Sequence, residues 1–101
     1  MSGVNLPYDY PYETVAVSQT AQVLGGAGAT GDYLHRLIIS VATSATSTVT
    51  LLDGATSIVI TAANAAIGTV SVEMNMKSNE GPWKITTGAG ATVIAAGKFS
   101  A

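Results

Sequence analysis

His35 is the only histidine of the chain, and there is no cysteine. Catalysis needs converging groups: a nucleophile beside a base, paired carboxylates, or a set of metal ligands. His35 is flanked by Tyr33, Leu34, Arg36 and Leu37, with no neighbouring acid or serine arrangement to mark it as a base. It reads as a surface or interface histidine. Asp9, Glu13, Asp32, Asp53, Glu73 and Glu80 are isolated along the chain, without the D-x-D spacing of a cation loop. No metal or other cofactor is expected, and no hydrolysis or group transfer.

Gly26-Ala27-Gly28-Ala29-Thr30-Gly31 satisfies G-x-G-x-x-G. That pattern cradles a pyrophosphate only between a strand and a helix of a βαβ unit, with an acid about twenty residues on. Asp53 lies near that distance, but the intervening segment is β-branched and the chain is short for a doubly wound domain, so nucleotide binding is not expected. Gly-Ala-Gly-Ala-Thr occurs twice, at 26–30 and 88–92. Small residues there make compact loops or bulges, or let a neighbouring subunit's backbone come close. Trp83, after Gly81-Pro82, reads as a core plug or a cap over one end of a sandwich; the alternatives are an interface anchor, or a sugar-stacking platform shared with tyrosines and flanked by Asn79 and Glu80.

These residues sit on a chain patterned as strands. From Thr14 onward, segments rich in Val, Ile and Thr alternate with Gly, Asn, Asp and Ser clusters, placing strands near 14–24, 33–42, 47–52, 57–62, 67–77, 83–87 and 92–99. The clearest is 68–77, where Val70, Val72, Met74 and Met76 share one face and Thr69, Ser71, Glu73, Asn75 and Lys77 the other. Asp53-Gly54 marks a hairpin turn between 47–52 and 57–61. Leu34, Leu37 and Ile38 fall at helical spacing behind a capping Asp32, but the β-branched continuation to Thr43 favours a strand. Residues 61–66 are too short for an independent helix and link two strands. About seven short strands in one domain predict an all-β fold with less than about a tenth helix: a small antiparallel two-sheet sandwich or jelly-roll-like barrel over residues 14–101.

Residues 1–13, MSGVNLPYDYPYE, differ in kind: they hold two of the three prolines and three of the four tyrosines, without strand periodicity. Pro7 and Pro11 favour extended geometry, and thirteen such residues span about 40 Å at about 3.3 Å each. Tyrosine buries area while keeping a polar tip, so Pro7, Tyr8, Tyr10, Pro11 and Tyr12 form a candidate protein-binding arm.

The chain is 48% apolar and only 10% charged, with a net charge of −2. Ordinary soluble domains carry about 25% charged residues. Four basic residues, Arg36, Lys77, Lys84 and Lys98, are scattered in sequence, so a phosphate-binding patch and nucleic-acid partners are not expected. No run approaches the length of a membrane span, and no membrane partner is expected. The first residues lack the pattern of a signal peptide, so assembly in a cytoplasm is expected. A weakly charged body tends to self-associate, and its surface is expected to be covered.

Tyr12-Glu13-Thr14-Val15-Ala16, Ser18-Gln19-Thr20, Gln22-Val23-Leu24-Gly25, Gly31-Asp32-Tyr33-Leu34, Asp53-Gly54 and Gly81-Pro82-Trp83-Lys84 together resemble small virion proteins of tailed bacteriophages, in particular head decoration, or cement, proteins. The likeness spans most of residues 12–99. It implies a small β-rich protein on the outer surface of the capsid, often a homotrimer, bridging copies of the major capsid protein. Other readings are a tail, fibre or head–tail joining subunit, and a carbohydrate-binding module.

Overall fold

A computed structural model describes residues 10–101. Eight strands follow in order: β1 Tyr12–Val15, β2 Gln22–Val23, β3 Tyr33–Val41, β4 Val49–Asp53, β5 Thr56–Thr61, β6 Gly68–Lys77, β7 Trp83–Thr87 and β8 Ala91–Lys98. They form two antiparallel four-stranded sheets, ordered β1-β8-β3-β6 and β2-β7-β4-β5. Every connection except that from β4 to β5 changes sheet. The two sheets pack as the small antiparallel two-sheet sandwich expected from the sequence, and their strand order is that of the eight-stranded jelly roll. The only helical element among the described residues is a single 3-10 turn, Ser44–Thr46.

Alternation along the central strands builds the core. Leu34, Leu37 and Ile39 of β3, Val49 and Leu51 of β4, Ile85 of β7 and Val93 and Ala95 of β8 are completely buried, with Trp83 2% exposed among them. Both edge strands on one side are sealed. There Val15 and Leu24 are completely buried, and the Glu13 carboxylate accepts from Gly25 N at 2.7 Å and Gln22 Nε2 at 2.9 Å, bracing the two sheets together.

Three local features depart from the sequence reading. The helical spacing of Leu34 and Leu37 belongs to a bulged strand: the β3 register shifts between Leu34 and Arg36 against both β6 and β8. Against β8 the extra residue is His35, whereas against β6 the extra residue lies on β6, between Glu73 and Met76; Leu34 and Leu37 thus both point inward although they are three apart. The segment 14–24 is two strands rather than one. Ser18 (φ 58°) and Ala21 (φ 48°) take left-handed backbone conformations that turn the chain from one sheet to the other, held by Gln19 N and Ala21 N donating to the hydroxyls of Thr87 and Thr86. Finally, among the described residues the first strand begins at Tyr12, so Tyr12 and Glu13, read as arm from the sequence, pair with Ala96 and Ala95 of β8.

The Asp53-Gly54 hairpin forms as expected, with Asp53 opposite Thr56 and Gly54 at φ 57°. Asp53 has a second task. Its buried carboxylate accepts from the backbone N–H groups of Asn79 (2.9 Å), Glu80 (3.0 Å) and Gly81 (3.3 Å), fastening the β6–β7 loop. Asp32 does the same at the next corner, accepting from Ala29 N (3.0 Å), Ser100 N (2.8 Å) and Ser100 Oγ (2.7 Å). Burial pushes both carboxyls up, but the donors outweigh it and hold both below the ordinary carboxylate value.

A carboxyl whose pKa is lower folded than unfolded contributes its full stability above the ordinary value of about 3.9 and loses it as pH falls through the folded value. The melting temperature is therefore expected to be nearly flat from about pH 7 to 5 and to fall below about pH 4. Asp53→Asn is expected to lower it at neutral pH by about 4–8 °C, the effect of roughly 1 kcal/mol in a domain of this size, and to make the acid fall shallower. Calorimetry across this range checks both; an identical acid fall in the variant would contradict the role given to Asp53.

Candidate functional site

The bulge at His35 shapes the outer face of the β1-β8-β3-β6 sheet. By shifting phase it presents Tyr33, His35 and Arg36 on the same outer side, where unbroken alternation would turn one of them inward. Tyr33 stands opposite Lys77 of β6 and Lys98 of β8, so the two lysines flank one ring across the sheet. Arg36 pairs with Glu73 at 3.0 Å. Three of the chain's four basic residues thus share a face with its only histidine.

Tyr10 lies on this surface. Its ring stacks on His35 (centroids 4.8 Å, 25°) and is tilted against Tyr33 (5.3 Å, 44°), with Lys98 Nζ 5.7 Å from its centre. Beneath it, the Tyr33 hydroxyl meets His35 Nδ1 at 3.0 Å and donates to Asn75 Oδ1 at 3.1 Å. Asn75 is aimed there by its own left-handed backbone (φ 51°) within the irregular stretch of β6. Tyr10, Asp32, Tyr33, Lys77, Lys98 and Ser100 line an open groove of about 520 Å³.

The arm residues fall in different places. Pro7 and Tyr8 lie outside the described residues. Tyr10 packs on the chain's own sheet, the Pro11 carbonyl accepts from Gly97 N at 3.1 Å, and Tyr12 stands in β1, 68% exposed. Sequence reasoning singled out the tyrosines but missed the surface they join, because Tyr33, Lys77 and Lys98 come together only through strand pairing.

The other motifs are absorbed by the fold. In the loop after β2, the Gly28 and Gly31 N–H groups, which a phosphate would need, donate to the carbonyls of Ser100 (2.9 Å) and Ser78 (3.1 Å), and a strand follows instead of a helix. The second Gly-Ala-Gly-Ala-Thr copy serves another purpose: a Cβ on Gly90 would collide with the carbonyl oxygen of Thr43. Both copies pack against their own chain. Trp83 is in the core, its Nε1 donating to the Asp32 carbonyl at 2.9 Å, and so cannot stack on a sugar. No group of three or more His, Asp or Glu placed to hold a metal ion occurs among the described residues. No family model, curated protein or solved structure matches the chain.

Half-buried Tyr10 and exposed Tyr12 are expected to differ in energy. Tyr10→Ala should reduce unfolding free energy by about 0.5–1.5 kcal/mol, the worth of a ring pair. Tyr12→Ala, which removes little packing, should cost less than about 0.5 kcal/mol. Urea titration measures both, and equal losses would contradict the stacking of Tyr10 on His35.

Proposed function

We propose that this chain is a structural subunit of a virus particle, a capsid decoration protein that associates with copies of itself and bridges major capsid protein subunits on the outer surface of the shell. The observation that carries the reading is the outer sheet face, where Tyr10, Tyr12, Tyr33, His35 and Arg36 stand together on a rigid antiparallel scaffold. Tyrosine and arginine concentrate at protein interfaces, where their side chains bury large areas. The low charge of the whole chain fits a surface covered in an assembly. The jelly roll adds an analogy only: it serves virus coats and also lectins, so it does not choose between them.

In this reading residues 1–9 reach onto a neighbouring subunit from an anchor at Tyr10. Deleting residues 2–9 is then expected to leave the melting temperature within about 4 °C of the parent. Binding to empty shells, measured by co-sedimentation, should weaken at least about tenfold, which needs only about 1.4 kcal/mol. Unchanged shell binding would overturn the arm's role, and failure of the full chain to bind any shell would overturn the decoration reading.

A second reading rests on the groove between Tyr10, Tyr33, Lys77 and Lys98, which offers aromatic faces and cations to an acidic sugar. A glycan array probed with the isolated protein separates the two: selective glycan binding without shell binding favours the sugar.

A further inference from the structure

Acids and bases are used unequally in this fold. Among the described residues, Glu13, Asp32 and Asp53 give their carboxylates to backbone N–H groups, and Glu80 accepts from the Thr56 hydroxyl at 2.7 Å. Only Glu73 forms an ion pair among them, with Arg36. The carboxylates thus hold the chain's own loops, while lysines stand on its surface.

The groove on the outer face of the β1-β8-β3-β6 sheet takes its character from this division. Lys77 and Lys98, both exposed, stand on either side of Tyr33, about 10 Å apart at about 4.8 Å per strand. The side-chain acceptors around them are occupied. The Tyr33 hydroxyl meets His35 Nδ1 and donates to Asn75 Oδ1, and the Asp32 carboxylate already takes Ala29 N and the N–H and hydroxyl of Ser100. An ammonium group donates and cannot accept. The groove therefore offers donors and aromatic surface but few acceptors.

A ligand that brings only acceptors suits it, and an ionised carboxylate is such a ligand. Sugar hydroxyls both donate and accept, so a sugar would leave donors unmet here. Nucleic acid calls for a longer track of cations than two lysines provide. We infer that the groove between Tyr10, Tyr33, Lys77 and Lys98 receives an acidic segment of the neighbouring protein subunit, with Glu or Asp carboxylates on the two lysines and the stems of those side chains against the tyrosine rings. An extended segment repeats one face every second residue, about 6.6 Å, which places alternate acids within reach of both flexible lysines. The chain carries −2 overall, so it has no general attraction for acids and the contact is local to this face. The inference rests on the decoration reading and adds the chemistry of the partner.

Co-sedimentation of the full-length chain with empty shells tests it. Lys77→Glu, Lys98→Glu and Lys84→Glu change the net charge alike, but Lys84 faces outward from the other sheet, between the buried Trp83 and Ile85. The first two are expected to weaken binding at least about tenfold, and Lys84→Glu to stay within about threefold of the parent. Lys77→Glu carries the decision, because Lys98 also lies over the Tyr10 ring. Parent-like binding by Lys77→Glu, or equal losses in all three variants, would overturn the inference. A second measurement needs no shell. NMR titration of the full-length chain with a blocked Gly-Glu-Ser-Glu-Gly peptide at about 1 mM is expected to shift the amide signals of Tyr33, Lys77 and Lys98, and the glutamine counterpart to leave them in place. Absence of those shifts, or the same shifts from trigalacturonate at equal or lower concentration, would also overturn it. The two readings fail separately: shells bound regardless of Lys77→Glu refute the acidic contact alone. A parent chain that binds no shell refutes the decoration reading, and the peptide titration then decides the groove.

Discussion

Asp32 ties together more of the molecule than any other described residue. Its carboxylate collects the N–H groups of Ala29 and Ser100 and the Ser100 hydroxyl, while its backbone carbonyl receives Ser78 N and the indole N–H of Trp83, each at 2.9 Å. One residue thus joins the loop before β3, the C-terminal segment after β8, the loop after β6 and the largest core side chain. The charge makes this possible. A buried carboxylate accepts several hydrogen bonds at once, each stronger than a neutral one, and those bonds offset the cost of removing it from water. Because Asp32 directly precedes β3, the same clasp fixes where β3 begins, and with it the outward positions of Tyr33 and His35.

Two surfaces of different character follow from that frame. The outer face of the β1-β8-β3-β6 sheet is aromatic and cationic, assembled by one bulge and three strand pairings. The β5–β6 side carries no charged residue over 54–72, and Val70, which alternation directs into the core opposite Ile39, is 47% exposed there. In a small domain the core is too thin to spare such residues without compensation. The opposite side shows what closure looks like in this fold: two completely buried side chains and one bridging carboxylate.

Architecture was legible in the sequence where period-two alternation is uninterrupted. Residues 68–77 carry Val70, Val72, Met74 and Met76 on one face, as their spacing says, and Asp53-Gly54 makes its turn. The pattern misleads where the backbone departs from regular geometry without a glycine or proline to announce it. Ser18 and Ala21 take left-handed conformations in a segment that reads as one strand, and the bulge at His35 gives Leu34 and Leu37 the spacing of a helix. The site was less legible for a different reason. Lys77 and Lys98 look scattered along the chain, yet both stand opposite Tyr33, and Asp32 and Asp53 look isolated because their partners are backbone N–H groups that carry no sequence signature.

A protein that works by covering and being covered should be present in its assembly in numbers set by the symmetry of that assembly. The most direct measurement is the copy number of this chain relative to the major shell protein in purified particles, by quantitative gel or mass spectrometry. A decoration subunit gives a fixed ratio corresponding to on the order of hundreds of copies per particle. A ratio corresponding to on the order of tens or fewer, or the chain's absence from purified particles, would contradict the decoration role.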